Sequence, residues 1–243
     1  MISLVLHLRG PMQAWGGNSR LDIRSTELLP TKSALVGILA SAHGRTHGSD
    51  VSDLVQLEMV IRVDQPGWLM RDYHTVGAGY PKGQRIQKAK GGERPEDKST
   101  LVSERYYLAD AAFTITLTGD DLVIKSTNTA LERPRWAPAL GRRSCPPAEP
   151  FNLGIIDKDP VEYLSKILPV VRDVSKGQSR LVTFVKDIPD GDCLLYSDFH
   201  SVRDIPNTIL NDWRYYSERK MHRWIEELDK NQFTADPLTL ILR

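Results

Sequence analysis

Apolar and polar residues alternate over three short stretches of the chain, 2–8, 57–63 and 113–117. A period of two places every second side chain on the same face, which is typical of a half-buried β-strand. Between the first two stretches, apolar residues recur at helical spacing from Thr31, a suitable N-cap, to Gly44, a suitable stop. The pattern therefore predicts a strand, a helix and two further strands, in that order.

The segment 120–131 follows the third predicted strand and fits a helix or a strand, because its periodicity does not decide between them. With a helix there, the order of elements is that of a ferredoxin-like split βαβ unit. We therefore predict an α+β fold in which residues 1–147 form a ferredoxin-like (RRM-like) domain and residues 148–243 form a smaller C-terminal lobe. RNA-recognition domains share this architecture, but architecture alone does not assign a function.

Apolar periodicity stops between the second and third predicted strands, from about residue 71 to residue 98. This insertion is rich in glycine and in basic side chains, among them Lys82 and Arg85. We predict that residues 71 to about 100 form a projecting hairpin or a partly disordered finger, an arm that can become ordered on a polyanion. The alternative is a solvated loop without a function.

The pattern is weaker after Pro150. Residues 160–168 and 213–228 fit helices, the second of them amphipathic, whereas 181–185 and 193–196 fit short strands. These elements are expected to make up the smaller lobe.

Composition bounds the class of protein. The 243 residues carry a formal net charge of +1, so binding to nucleic acid would depend on local basic patches. The two cysteines, Cys145 and Cys193, give no disulfide framework and favour a reducing cytoplasm. The N-terminus lacks the features of a signal peptide, and no apolar run is long enough to span a bilayer. We expect a cytoplasmic protein that does not enter a membrane.

Four arginines lie within residues 132–147, among prolines and a glycine: Arg133, Arg135, Arg142 and Arg143. Proline and glycine exclude a long helix or a central strand here. An ordinary solvated helix would interleave glutamates with the basic residues, and this segment does not. Guanidinium groups on a rigid loop bind phosphates bidentately. The segment indicates phosphate binding, and the alternative is that its arginines pair with carboxylates elsewhere in the protein.

Motifs for cofactor or metal chemistry are absent from the sequence. Neither a Walker A, a GxGxxG nor a GxSxG pattern occurs, and the predicted helix stop separates His43 from His47. We therefore expect no cofactor and no metal. Tyr73 and His74 lie beside the basic insertion, and metal-independent ribonucleases use such groups as general bases. Stacking of these rings on RNA bases is the alternative.

Five short segments carry a resemblance to a known family. They are residues 8–16 (LRGPMQAWG), 30–33 (PTKS), 71–75 (RDYHT), 105–111 (RYYLADA) and 133–146 (RPRWAPALGRRSCP). In this order they resemble the CasD family, the RAMP subunits that hold the crRNA 5′ handle in type I-E CRISPR surveillance complexes (Cascade). The resemblance covers residues 1 to about 150 and is loose beyond Gly154.

The resemblance implies a RAMP domain with a thumb, which caps the crRNA and contacts the adjacent Cascade backbone subunit. It also implies contact with the large PAM-reading subunit, and with target DNA only indirectly. In type I-E complexes a different subunit cleaves the precursor, so the family is a non-catalytic RNA-binding scaffold for antiviral defence. A sister family in type I-C systems cleaves with a Tyr, Lys and His set. That set cannot be placed here, because Lys220 and His222 are not adjacent.

Several basic and aromatic residues of these segments are candidates for RNA contact. Lys32 and Ser33 lie in the first turn of the predicted helix, where free N–H groups and the helix dipole favour phosphate. Arg105 lies close to Tyr107, a stacking surface, while Trp15 fits stacking or a core position equally. The predicted RNA-binding residues are Gln13, Trp15, Arg24, Lys32, Ser33, Tyr73, His74, Lys82, Arg85, Arg105, Tyr107, Arg135, Arg142, Arg143 and Ser144.

Three functions stay open at this point. The first is a Cascade subunit that binds the crRNA handle without cutting it. The second is a metal-independent endoribonuclease that processes CRISPR repeat RNA, with His74 as its base. The third is a stand-alone RNA chaperone with an RRM-like sheet, although the strands lack the aromatic signature of such sheets.

Overall fold

The computed structural model describes residues 1–17, 22–77, 79–172, 180–188, 199–210 and 213–241, with side chains throughout except at 207–210 and 213–215. The α-helices in these ranges are α1 (Lys32–His43), α2 (Ser52–Val55), α3 (Asp121–Glu132) and α4 (Pro160–Glu162). The strands are β1 (Ser3–Arg9), β2 (Met12–Gln13), β3 (Ile23–Arg24), β4 (Glu58–Gln65), β5 (Trp68–Val76), β6 (Leu101–Ala109), β7 (Ala112–Thr118), β8 (Asn152–Ile156), β9 (Val170–Val171), β10 (Leu181–Ile188), β11 (Phe199–Leu210), β12 (Trp213–Glu227) and β13 (Phe233–Thr234). The predicted α+β class is confirmed. No helix in the described part of the chain is long and apolar enough to cross a membrane.

The main sheet has seven strands in the order β11-β12-β10-β4-β7-β1-β8. Its β8-β1-β7-β4 part, with α1 and α3 as the two crossover helices, is the ferredoxin-like arrangement predicted from the sequence. Since β8 follows residue 147, its pairing with β1 moves the end of this unit beyond the predicted domain boundary. Strand β10 pairs with β4, so residues on both sides of that boundary share one sheet. The division into two domains stays a prediction.

Local signals in the sequence set the ends of the two long helices. The hydroxyl of Thr31 accepts a hydrogen bond from the backbone N–H of Ala34, and Gly44 ends α1 at φ +75°. Both residues act as predicted. The undecided segment 120–131 is a helix, because the carboxylate of Asp120 caps the backbone N–H groups of the first turn of α3. One face of both helices packs on β1, β4 and β7 in the larger hydrophobic core.

The predicted amphipathic helix over 213–228 is wrong, because these residues form β12. The strand pairs with β10 along one edge and with β11 along the other, which satisfies its backbone on both sides. Its side chains alternate accordingly: Trp224 stacks on Phe184 at 5.2 Å, whereas Met221 packs against the larger core. The predicted strand 181–185 is confirmed as part of β10. The predicted helix 160–168 is confirmed as α4 and the π-helix Tyr163–Ile167 that continues it. The predicted strand 193–196 lies outside the described residues.

The second face of the main sheet is covered by the segment that follows α4. Arg62 on β4 is fully buried and donates to the carbonyl oxygens of Leu164, Leu168 and Pro169 at 2.5, 2.6 and 2.8 Å. Its Nε donates to the carboxylate of Asp64 at 2.6 Å. This sheet face is the one that RNA-recognition domains leave open for bases. Here protein occupies it.

The predicted thumb is the hairpin of β5 and β6. The strands pair without a register shift from Trp68 opposite Ala109 to Val76 opposite Leu101, so the hairpin begins a few residues before the predicted residue 71. On the other side of β6, the short strands β2 and β3 join the hairpin to the body of the protein. The residues at the tip include the short helical turn Glu96–Lys98.

Candidate RNA-binding groove

The thumb brings several of the predicted residues to one face. Residues directly opposite each other on paired strands lie on the same side of a sheet. Arg105 on β6 lies opposite Asp72 on β5 and opposite Arg24 on β3, and Ser103 lies opposite His74. We call the side that carries these five residues the arginine face of the thumb.

A groove lies between the arginine face and the loop that carries Arg142. Its volume is about 490 Å³. It is lined by Asp22, Arg24, Val76, Leu101, Val102, Ser103, Arg105 and Arg142. Three guanidinium groups and one carboxylate thus line one cavity, although Arg24, Arg105 and Arg142 are far apart in the sequence.

Arg142 has both a structural role and an unused donor. Its Nη2 donates to the carbonyl oxygens of Arg24 and Ser25 at 2.9 and 3.3 Å, which holds β3 beside the thumb. Its guanidinium lies 4.6 Å from the ring centroid of Tyr107, a cation–π contact. Its Nη1 is buried and has no acceptor among the described residues. Although a buried donor normally has a partner, this atom is closed off from solvent, so it offers no contact surface to the groove.

Gly141 lets the arginine loop approach the body of the protein. Its φ is +90°, and a Cβ at this position would lie 1.6 Å from the carbonyl oxygen of Ala14. Next to this contact, the backbone N–H of Ala14 donates to the carbonyl oxygen of Leu140 at 3.0 Å. Only glycine combines this backbone conformation with this close approach. Gly141 therefore determines where Arg142 lies.

Gln13 and Trp15 are core residues, which corrects the prediction that they contact RNA. Both are fully buried. The amide of Gln13 donates to the carbonyl oxygens of Leu8 and Ala111 at 3.1 and 2.7 Å and accepts from the Nε1–H of Trp15 at 3.0 Å. Since all these polar atoms have protein partners, neither side chain is available to RNA. Their role is to hold the loop against which Gly141 packs.

Lys32 is also buried, which corrects its predicted role in binding phosphate. Its Nζ lies 3.1 Å from the carboxylate of Asp187, and its backbone N–H donates to Asp204 at 2.7 Å. Arg219 contacts both carboxylates, and although burial lowers its pKa, the bonds to Asp204 and Asp187 raise that pKa overall. Two cations and two carboxylates thus balance each other. Ser33 is half-buried and lines a second cavity of about 530 Å³.

Tyr73 and His74 point to opposite faces of β5. Tyr73 lies opposite Glu104 and is exposed on the side away from the groove. His74 is on the arginine face, with its Nδ1 3.7 Å from the carboxylate of Asp72. Tyr107 is buried beneath the guanidinium of Arg142 and supports it.

The other predicted contacts lie outside the groove. Arg85 at the thumb tip is paired with Glu96 at 2.7 Å. The backbone N–H of Arg135 donates to the carbonyl oxygen of Ala42 at the end of α1, and its side chain is exposed. Besides Tyr73, the exposed predicted residues outside the groove are Lys82, Arg135, Arg143 and Ser144.

Asp22 and Ser103 line the groove and were not predicted. Ser103 is two residues from Arg105, so strand alternation alone would have placed it on the same face. Asp22 carries no such signal, because its position depends on the pairing of β3 with β6. Within the described ranges, His, Cys, Asp and Glu side chains do not gather in a group of three or more that could hold a metal ion.

Comparison with known proteins identifies the family. The family described as CRISPR-associated protein (Cas_Cas5) matches residues 3–226. The CRISPR system Cascade subunit CasD of Escherichia coli (strain K12) is 35% identical, over 72% of this chain and 81% of that protein. A chain of a solved "CRISPR RNA-guided surveillance complex" aligns with a TM-score of 0.84 and 31% identity, covering 99% of this chain and 98% of that one. A second structure, "Crystal structure of Cas protein", aligns with a TM-score of 0.67 and 28% identity, over 97% of this chain and 99% of the other. The chain belongs to the Cas5 family of CRISPR-associated proteins.

Proposed function

We propose that this chain is an RNA-binding and assembly subunit of a type I-E CRISPR surveillance complex, which grips the 5′ handle of crRNA without cutting it. Similarity to the Cascade subunit CasD and to a chain of an RNA-guided surveillance complex supports the place in such an assembly. The observation that carries RNA binding is the groove in which Arg24, Arg105 and Arg142 meet. Its partners are the crRNA handle, the adjacent backbone subunit and the large PAM-reading subunit, with target DNA contacted indirectly.

The chemistry of the groove suits a short stretch of RNA backbone. Guanidinium groups bind phosphate oxygens bidentately, and three arginines line this groove. Asp22 adds a hydrogen-bond acceptor to the groove. A phosphate diester has no donor for it, whereas a ribose hydroxyl or a base amino group does. Phosphate contacts provide mainly affinity, and they make that affinity depend on salt.

The geometry of β5 favours binding over cleavage. Metal-independent cleavage of RNA needs a general base and a second group at the same phosphate. Tyr73 and His74 cannot supply them together, because their side chains lie on opposite faces of the strand. Cleavage of repeat RNA stays the alternative function. It predicts products after incubation of the purified protein with repeat RNA in EDTA.

The closed second face of the main sheet argues against a stand-alone RNA chaperone of the RRM type. Such proteins stack bases on an open sheet, and here the segment held by Arg62 covers that surface. An RNA chaperone would also bind arbitrary RNA as tightly as the handle. Equal affinities would support it.

Co-purification tests the proposed function. The chain is expressed with its tagged operon neighbours, with and without a CRISPR array, and the RNA that co-purifies is sequenced. We expect a multi-subunit particle whose short RNA begins with one fixed, repeat-derived 5′ handle. A chain that stays uncomplexed and leaves repeat RNA cut contradicts the proposal and makes His74 the first residue to substitute.

A further inference from the structure

The side of the thumb opposite the arginine face is apolar. Tyr73 on β5 lies opposite Glu104 on β6, and Ile23 on β3 lies opposite the same residue. By the same pairing, Leu69 shares this side. Ile23, Leu69 and Tyr73 have exposed fractions of 50, 54 and 64%. We call these three side chains the apolar face of the thumb.

The charges on the apolar face are balanced, unlike those of the arginine face. Arg71 lies 3.8 Å from Glu104, and the hydroxyl of Tyr106 donates to the same carboxylate at 3.1 Å. A polyanion gains no attraction from such a surface, because its cation is paired with a carboxylate. Exposed aromatic and aliphatic side chains around one arginine are typical of the centre of a protein–protein interface.

The outer edge of β5 is also open. Among the described residues, β5 pairs only with β6, and its nine residues contain no proline, glycine or lysine. No bulge interrupts the pairing. Proteins usually protect an exposed strand edge with charged side chains, above all lysine, with proline or with a bulge, since an unprotected edge pairs with other chains. Arg71 and Asp72 are the charged residues of β5, and apolar residues precede them along the strand. A nine-residue edge without proline or a bulge suits strand addition by a partner.

We propose that the apolar face and the open edge of β5 are the docking surface for another protein subunit of the same surveillance complex. The partner presents an extended segment with apolar side chains, which adds to the β5 edge and covers Leu69 and Tyr73. A second copy of this chain fits less well. Antiparallel self-pairing about the middle of β5 would place Asp72 opposite Asp72, and like charges directly opposite each other are destabilising. The proposal rests on the proposed function.

Photo-crosslinking in the intact complex tests the orientation of the thumb. A benzophenone amino acid is placed at position 73 in one variant and at position 72 in another. These neighbouring positions face opposite sides of the hairpin. We expect crosslinks from Tyr73→benzophenone to a protein subunit and from Asp72→benzophenone to crRNA. Crosslinks from position 73 to RNA, or only to a second copy of this chain, overturn the proposal.

Substitution tests the contribution of the surface. Leu69→Asp and Tyr73→Asp together should lower recovery of the chain in the complex by about tenfold or more. Both side chains are exposed, so the isolated chain should bind handle RNA within about twofold of wild type. Leu122→Asp is the matched control, because Leu122 is an apolar side chain on α3 that is 76% exposed. Recovery of the double variant at the wild-type level overturns the docking proposal alone. Failure of the wild-type chain to join any complex overturns the proposed function and the docking proposal together.

Discussion

Replacing Gly141 with alanine tests whether the close approach to Ala14 positions the arginine loop. An L-residue at φ +90° is strained by about 1–2 kcal/mol. The new Cβ would also lie 1.6 Å from the carbonyl oxygen of Ala14, so the loop must move away. That movement breaks the hydrogen bond between Ala14 and Leu140 and exposes part of Leu140, which is fully buried. We expect Gly141→Ala to lower the free energy of unfolding by about 3–6 kcal/mol in total.

Gly154→Ala is the matched control for this substitution. Gly154 has φ +88°, but a Cβ there has no atom within 4 Å, so only the backbone strain of about 1–2 kcal/mol applies. Urea unfolding gives both free energies, and RNA titration shows whether Arg142 has left the groove. We expect weaker RNA binding for Gly141→Ala and unchanged binding for the control. Equal losses of stability in the two variants would refute the argument.

Three further predictions follow from buried or groove-lining charges. Burial lowers the pKa of His7 to about 4, opposed by Asp64, so below about pH 6.5 the unfolded chain binds a proton that the folded chain does not. The free energy of unfolding should therefore fall as the pH is lowered from 6.5 to 4. The part of this fall that His7 causes should be absent from the His7→Gln variant. Arg62→Met should lower the free energy of unfolding in urea by about 3–5 kcal/mol, because Asp64 is then buried without its cation. The double variant Arg62→Met, Asp64→Asn should regain part of this lost stability. Arg105→Ala and Arg142→Ala should each weaken handle binding by roughly 1–2 kcal/mol and lower the salt slope by about one.

Each of these predictions can fail in a defined way. Parallel pH profiles for wild type and His7→Gln would contradict the titration of the buried imidazole. Equal stability of Arg62→Met and wild type would show that the covering segment does not depend on this cation. A salt slope that matches that of Arg223→Ala, an exposed control on β12, would mean that Arg105 and Arg142 are structural.

Features set by neighbouring residues could be predicted from the sequence. The period of two in β1, the cap at Thr31 and the stop at Gly44 all depend on residues within a turn of one another, and the structure has them where expected. The thumb was predictable because loss of apolar periodicity marks an insertion. The arginine-rich loop was singled out by its composition, and the structure places Arg142 from that loop in the groove.

Features set by distant partners could not be predicted. Lys32 lies in the first turn of a helix, which locally favours phosphate, but its charge is balanced by Asp187, 155 residues later. Trp15 lies on a glycine-flanked loop, and only the buried amide of Gln13 makes it a core residue. Residues 213–227 form a strand because β10 and β11 pair with both of its edges. These partners are not visible in the local sequence, whose spacing of apolar residues also fits a helix.

The ion pairs around Lys32 also bear on how the chain is made. The backbone N–H of Lys32 bonds to Asp204, 172 residues further along, so roughly 9–35 s separate the synthesis of the two on a ribosome. Until then, Lys32 stays hydrated and the edge of β4 that later pairs with β10 is open. The ferredoxin-like unit thus emerges first with an unpaired edge. Order of synthesis, rather than the strength of any one contact, determines when the nascent protein stops exposing a strand that other chains can capture.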